Sequence, residues 1–465
     1  MNFYDGMERH GSAVAFAEED GAVHTYAQTA AAADAFGSAI AENGLVFLLA
    51  DNSMAAATGY LGCLRARRPA ALLDTDIAFE RLANLLAAYR PNYIWLPRER
   101  AAEASDAVEV HVQGGYALLK TGAEPLCAHR DLALLMTTSG STGSAKFVRL
   151  SYGNLAANAA SIASYLELHD EDRAITTLPI HYVFGLSVVN SHLQVGGRIA
   201  LTGASLMEKR FWDQAKMQRA SSLSGVPYTY ELLRRLRWER MELPDLKAMT
   251  QAGGKLSAAL VAEFAGHCQK KGIRFYVMYG AAEATARMAY LPPELALEKP
   301  GSIGVPIPGG ELWIEDEKGN AIVESGVAGE LFYRGQNVSL GYAGRREDLA
   351  LGDERGGVLA TGDLAQRDAE GAFFIVGRKS RFVKLFGNRV NLEEVEHHLR
   401  GAGIDCACAG DDAQLRIYIT NPALGNEAIS AAQRLTRLHS SAFRASLIER
   451  IPRNAAGKII YTELP

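Results

Sequence analysis

Thr137-Thr138-Ser139-Gly140-Ser141-Thr142-Gly143-Ser144-Ala145-Lys146 follows the apolar run DLALLM (131–136) and leads toward SYGNLAANAASIASYLEL (151–168). The apolar run reads as a strand. The later segment reads as a helix, with Leu155, Ala159, Ile162 and Leu166 on one face and Ser151 as its N-cap. A loop of glycines and hydroxyls after a strand suits a phosphate cradle, because glycine lets the backbone approach anionic oxygens and N–H and O–H groups donate to them. It is not a Walker loop, which needs Gly directly before Lys and a hydroxyl after it. Here Ala145 precedes Lys146 and Phe147 follows it, so a P-loop NTPase is excluded. Read alone, the segment fits an ordinary Ser/Gly/Thr surface loop equally well.

Outward from this loop, strand-like and helix-like runs alternate. RAITTLP (173–179), RIALTG (198–203), LKAMTQAGG (246–254) and IRFYVMYG (273–280) read as strands. VFGLSVVNSHLQVGG (183–197) reads as a helix stopped by glycines, and SAALVAEFAGHCQKKG (257–272) as one capped by Ser257. The alternation predicts an α/β fold with parallel-rich sheets. Short β-rich runs such as ELWIED, GELFYRG and FFIVG follow in 300–376, and predict a β-rich subdomain. After Gly377 the texture changes to a basic segment, RKSRFVKLFGNR, then helix, strand and helix. The expected organisation is a large N-terminal domain, 1–376, and a small α+β C-terminal domain, 377–465.

The 465 residues are 48% hydrophobic and 22% charged, which excludes disorder as the main state. A net charge of −5 gives no electrostatic footprint for nucleic acid. The five cysteines (63, 127, 268, 406 and 408) form no C-x-x-C pair, which argues against zinc and disulfide frameworks and fits a reducing compartment. No apolar run approaches the ~18 residues of a membrane span, and the N-terminus lacks a signal pattern. A cytoplasmic protein without a membrane span is expected.

Four later segments join the first in a pattern. They are Tyr279-Gly280-Ala281-Ala282-Glu283, Thr361-Gly362-Asp363, Gly377-Arg378-Lys379-Ser380 through Lys384, Gly387, Arg389 and Glu394, and Pro452-Arg453-Asn454-Ala455-Ala456-Gly457-Lys458. Taken in order with 138–146, they resemble the signatures of the adenylate-forming (AMP-binding) superfamily, which includes the acyl-CoA synthetases. The resemblance implies ATP-dependent activation of a carboxylic acid through an acyl-adenylate, then transfer to a thiol. The implied cofactors and co-substrates are ATP, Mg²⁺ and coenzyme A, or a carrier-protein phosphopantetheine in its place. The implied partners are a small carboxylic acid and, in the second case, an acyl carrier protein. A nucleotide-binding relative with weak turnover is a further reading, resting on Ala282.

The resemblance also assigns residues. Lys458 and Thr138 are implied in catalysis, with Lys458 countering the charge that develops between carboxylate and α-phosphate. Glu283 is implied in catalysis and as the Mg²⁺ ligand. Ser139, Gly140, Ser141, Thr142, Gly143 and Lys146 are implied around the phosphates. Gly253, Gly254 and Tyr279 are implied at adenine, Gly280 at the cofactor and along the acyl pocket, and Asp363 and Arg378 at the ribose. Ser380 maps to the pivot of a mobile C-terminal domain, and Lys384 and Gly387 to the thiol side. Ser380 departs from the common Asp or Lys, Ala282 from a threonine, Ala145 from a proline and Phe147 from a glycine.

The acyl pocket is expected from His181, Tyr182, Gly185, Val226, Tyr228 and Ala281. Tyr182 falls at the gate position, with His181 the choice if the alignment slips by one. Amino-acid-activating relatives place an aspartate at the position of Gly185 to hold the ammonium. Neutral glycine cannot do so, and the acid is therefore expected to lack an α-amino group. Arg287 is expected at the surface rather than against a second substrate carboxylate.

Overall fold

The computed structural model describes residues 2–41, 43–104, 107–137, 146–379, 381–385, 388–411, 413–453 and 459–465; at 382, 384, 388, 389 and 391 it describes the backbone only. The chain divides into two compact units. The first comprises Met1–Glu311 and Arg334–Leu359, the second Leu312–Tyr333 and Ala360–Pro465.

The first unit carries two large mixed sheets. One runs 341–343, 147–151, 132–137, 70–74, 46–50, 93–97, 116–120 and 108–113 in spatial order. Its centre is parallel: Val46–Ala50 pairs with Ala70–Asp74 and with Tyr93–Pro97, and Ala70–Asp74 pairs with Leu132–Thr137. Every side chain of Val46–Ala50 is buried, as expected of a parallel strand covered on both faces. The second sheet runs 305–306, 289–291, 274–279, 248–251, 222–225, 173–175, 198–200, 14–17 and 23–25. It is parallel from Arg274–Tyr279 through to Val14–Ala17.

Local chemistry sets the helices. Ser151 Oγ accepts from Asn154 N at 3.0 Å while Asn154 Oδ1 accepts from Ser151 N at 2.8 Å, a reciprocal cap that starts Tyr152–Tyr165. Ser257 Oγ caps Ala258–Lys271, and left-handed Gly196 ends Val183–Val195.

One strand escapes the sequence reading. Phe147–Ser151 pairs antiparallel with Leu132–Thr137 and also with Gly341–Ala343. Its centre is Arg149, whose side chain is fully buried. Arg149 Nε donates to Tyr342 O at 3.0 Å, and Nη2 to Leu340 O at 3.2 Å. Nη1 donates to the carbonyls of Leu351 and Gly352, and Nη2 also pairs with the Glu354 carboxylate. A cation in an apolar strand is tolerable here because its donors meet carbonyls and one anion.

The second unit holds most of a four-stranded sheet, ordered 310–315, 329–335, 358–367 and 373–378. Phe373–Arg378 is zipped to Val358–Arg367, with Arg378 opposite Asp363. That ladder is why the division anticipated at 377 falls inside this unit rather than at its edge. Beyond it lie helices Leu392–Gly401 and Gly425–Thr436 and a sheet of Cys406–Gly410, Leu415–Ile419 and Phe443–Leu447. Buried Glu396 ties these parts together. Its Oε1 accepts from Arg381 Nη2 at 2.8 Å and Cys408 N at 2.7 Å. Its Oε2 accepts from Arg400 Nη2 at 3.1 Å and Tyr461 Oη at 2.8 Å. Among the described residues no helix is long and apolar enough to cross a membrane.

Arg149→Met leaves buried carbonyls without donors and is expected to lower stability by about 3 kcal/mol. Glu354→Gln, at a half-exposed partner, is expected to cost under about 1 kcal/mol. Urea unfolding midpoints of the two variants check the ranking.

Candidate functional site

Thr138, Ser139, Gly140, Ser141, Thr142, Gly143, Ser380, Gly387, Lys458 and the side chain of Lys384 lie outside the described residues. The remaining expected residues fall in both units, and each group is built up separately.

In the first unit the turn after Arg274–Tyr279 carries Glu283. At Gly280 a Cβ would stand 1.6 Å from Ala286 O, so only glycine lets the returning chain pass. The chain then makes a short 3₁₀ turn, Ala282–Ala284, and Thr285 adopts left-handed backbone geometry. That tight turn is held from below. Thr285 Oγ1 donates to Asn337 O at 2.6 Å. Asn337 Nδ2 donates to the carbonyls of Ala284 and Arg287, both at 2.8 Å. Ala282 is buried in the apolar core, and offers no hydroxyl.

Glu283 is positioned by a residue absent from the expectations. Tyr342 Oη donates to Glu283 Oε1 at 2.7 Å. Burial, with the neighbouring Glu283 carboxylate, pushes the Tyr342 hydroxyl up to about 12, so it remains a donor. The Lys146 ammonium lies 3.6 Å from the centroid of the Tyr342 ring, and the Arg355 guanidinium 4.9 Å from it. One aromatic ring thus gathers two cations and one carboxylate, and one of those cations, Lys146, is the residue next in sequence after 138–145. Among the described residues no cluster of three or more metal-ligating side chains exists. A carboxylate oxygen such as that of Glu283 is a hard ligand of the kind Mg²⁺ takes.

The acyl candidates divide. The space a Cβ would take at Gly253 is bounded by Tyr182 Oη at 2.7 Å, Val226 Cγ1 at 2.9 Å and Phe184 Cδ1 at 3.8 Å. Tyr182, Val226 and Gly253 therefore share one neighbourhood, and Gln251 braces the glycine turn by donating to Gly254 O at 2.8 Å. His181 lies elsewhere: its Nδ1 is 2.9 Å from Ala50 O and its Nε2 3.6 Å from Asp74 Oδ2. Tyr228 is 46% exposed, apart from buried Val226. Ala281 is half-buried in extended backbone before the 3₁₀ turn. At Gly185 a Cβ would come 2.3 Å from Pro179 O and 2.8 Å from Leu178 O, so no side chain fits there.

Arg287 is not at the surface, as expected, but 3% exposed. It sits in the apolar run Ala284 to Leu291, whose strand Ala289–Leu291 pairs with Arg274–Tyr279. That pairing draws the arginine inward, and its guanidinium lies 3.8 Å from the Phe184 ring centroid.

In the second unit the Thr361-Gly362-Asp363 turn forms as its residue types dictate. Thr361 Oγ1 donates to Leu331 O at 2.7 Å and accepts from Asp363 N at 3.1 Å. Buried Asp363 pairs with Arg378 at 2.7 Å. The two residues assigned to the ribose are therefore brought together as an ion pair.

A family model described as AMP-binding enzyme matches residues 3–343. The 2-succinylbenzoate–CoA ligase of Geobacillus kaustophilus (strain HTA426) is 30% identical over 355 residues, covering 73% of this chain and 70% of that protein. The 2-succinylbenzoate–CoA ligase of Bacillus pumilus (strain SAFR-032) is 28% identical, covering 70% and 67%. Among solved structures, the O-succinylbenzoate coenzyme A synthetase (MenE) from Bacillus subtilis in complex with AMP superposes with a TM-score of 0.80 at 22% identity, covering 100% of this chain and 98% of that one. ATP-bound MatB from Rhodopseudomonas palustris superposes with a TM-score of 0.79 at 21% identity, covering 99% and 98%. The structural likenesses establish the fold.

Tyr342→Phe removes one hydrogen bond to a carboxylate and is expected to lower kcat/KM by about tenfold. Asn337→Ala is expected to lower the unfolding midpoint as well, because it uncaps two buried carbonyls. Steady-state kinetics beside thermal melts separate the two effects.

Proposed function

The chain belongs to the AMP-binding enzyme family, and we propose that it is an AMP-forming acid–coenzyme A ligase whose acid lacks an α-amino group. The observation that carries the site assignment is the Lys146–Tyr342–Glu283 group, whose lysine directly follows the hydroxyl- and glycine-rich segment in sequence. It supplies positive charge, a fixed carboxylate and a phenolic donor where the phosphates of ATP would lie. Gly185, which excludes any side chain, supports an acid without an ammonium group. The relatives' names support coenzyme A over a carrier protein, and they make 2-succinylbenzoate the first acid to test. Five unpaired cysteines suit a cytoplasmic setting for this chemistry.

The reaction runs in two steps. A carboxylate oxygen of the acid attacks the α-phosphorus of ATP, the bond to the bridging oxygen breaks, and pyrophosphate leaves. The thiol sulfur then attacks the acyl carbon, its proton passes to solvent, and AMP leaves. Glu283 would hold Mg²⁺, which when bound neutralises phosphate charge. Tyr342 fixes that carboxylate, and Lys146 adds charge on the phosphate side. Lys458 is assigned to the first step by the family pattern of its segment. Asp363 and Arg378 are assigned to the ribose. Ser380, Lys384 and Gly387 are assigned to the hinge and thiol passage of a C-terminal part that turns between the steps. Through Glu396, the residue after Ser380 and Tyr461, three residues past Lys458, share one buried ion cluster. That arrangement supports their moving as one body.

Incubation with ATP, Mg²⁺, coenzyme A and a panel of acids is expected to yield AMP and one acyl-CoA. Lys458→Ala is expected to cut acid-dependent ATP–pyrophosphate exchange by at least ~100-fold, the scale of losing a preorganised charge. Stabilisation by ATP with no exchange for any acid would replace this reading with a binding-only one.

A further inference from the structure

Arg287 is a buried cation with no buried anion beside it among the described residues. Its Nε is enclosed and has no hydrogen-bond partner. Its Nη1 donates to Ala286 O at 3.4 Å. Phe184 covers one face of the guanidinium at 3.8 Å. Tyr165 contributes a neutral hydroxyl that accepts from Arg287 while donating its own proton to Met278 Sδ at 2.9 Å. Among the described residues no carboxylate pairs with it. Burial presses on the charge and lowers the arginine below its ordinary value, yet guanidinium stays protonated in proteins. A charge held out of water with only neutral neighbours costs several kcal/mol, and the usual compensation is an anion.

The position says where that anion comes from. Phe184, which stacks on Arg287, also bounds the Gly253 space together with Tyr182 and Val226. Tyr182 interacts electrostatically with Arg287 as well. The cation therefore adjoins the neighbourhood assigned to the acyl group, and it lies only four residues beyond Glu283 in sequence. On the reading of the enzyme as an acid–coenzyme A ligase, on which this step rests, we propose that Arg287 binds a second carboxylate of the substrate. The acid is then a dicarboxylic acid: one carboxylate is activated, and the other pairs with the guanidinium in the pocket. Guanidinium suits this role because its planar fork meets a carboxylate with two parallel hydrogen bonds.

The test is acid-dependent ATP–pyrophosphate exchange with matched acids. 2-Succinylbenzoate is compared with its two monoacid analogues, each lacking one carboxylate. Aliphatic diacids of four to eight carbons are compared with their half-amides. Wild-type enzyme is expected to favour at least one diacid over its matched monoacids by about 100-fold in kcat/KM, the scale of a desolvated charge pair. Arg287→Met is expected to erase that preference, bringing kcat/KM for the diacid down to that for its matched monoacid. Arg287→Lys is expected to keep part of it. A wild-type enzyme that uses monoacids as well as their diacids overturns the proposal, and this comparison needs no variant to fold. An Arg287→Met enzyme that slows every acid equally also overturns it, and makes the arginine a packing partner of Phe184. In both cases the ligase reading stands. No exchange with any acid, in enzyme that binds ATP, sinks the ligase reading and this proposal with it.

Discussion

Arg149 is a cation at the middle of a buried strand, and the first unit's site hangs from it. Its guanidinium takes the carbonyls of residues 340, 342, 351 and 352 and the Glu354 carboxylate. Those contacts fasten Gly341–Ala343 to the edge of Phe147–Ser151 and so fix the backbone of Tyr342. Tyr342 in turn locates the Glu283 carboxylate and the Lys146 ammonium. The backbone ladder between Gly341–Ala343 and Phe147–Ser151 sets the register of Tyr342 against the strand that follows Lys146, and the Arg149 contacts add to it. Backbone carbonyls are good partners for this purpose. Their positions are set by the sheet, so the side chain that meets them is set as well.

Three of the buried charged residues, Arg149, Glu396 and Arg287, have different surroundings. Arg149 is surrounded by carbonyls and one acid. Glu396 is surrounded by two arginines, a tyrosine hydroxyl and a backbone N–H. Each of these is complete within the protein, and each joins segments distant in sequence. Arg287 has an aromatic face, a tyrosine hydroxyl and one long contact to a carbonyl. The contrast is internal to one molecule, folded under one set of constraints. That contrast in surroundings is what motivates the proposal made for Arg287.

Much of the fold was legible in the sequence. Strands at 132–137, 173–175, 198–200, 248–251 and 274–279 and the helices capped by Ser151 and Ser257 follow from apolar runs and cap residues. Phe147–Ser151 was not legible, because a charged residue at its centre breaks the apolar run that marks a buried strand. The turn motifs were readable as residue types, and Thr361-Gly362-Asp363 forms as its hydroxyl and glycine require. Tyr342 and Asn337 were missed because they act through contacts some fifty residues from the turn they support. Arg287 carried a signal that was misread. A lone cation inside the run from Ala284 to Leu291 is more easily buried than exposed, since its neighbours on both sides must go inward.

Gly185 bears on how this protein can change over evolutionary time. Every glycine codon is one base from an aspartate or a glutamate codon, so an acidic residue is a single mutation away. The carbonyls of Leu178 and Pro179 stand where the first side-chain carbon would go. The step toward an amino-acid-activating pocket is therefore short in the genetic code and closed in the fold. It opens only after the 178–179 turn has moved, a change that gives nothing on its own. If Gly185 lines the acyl pocket as proposed, two peptide oxygens stand where an amino-acid-activating relative places its carboxylate.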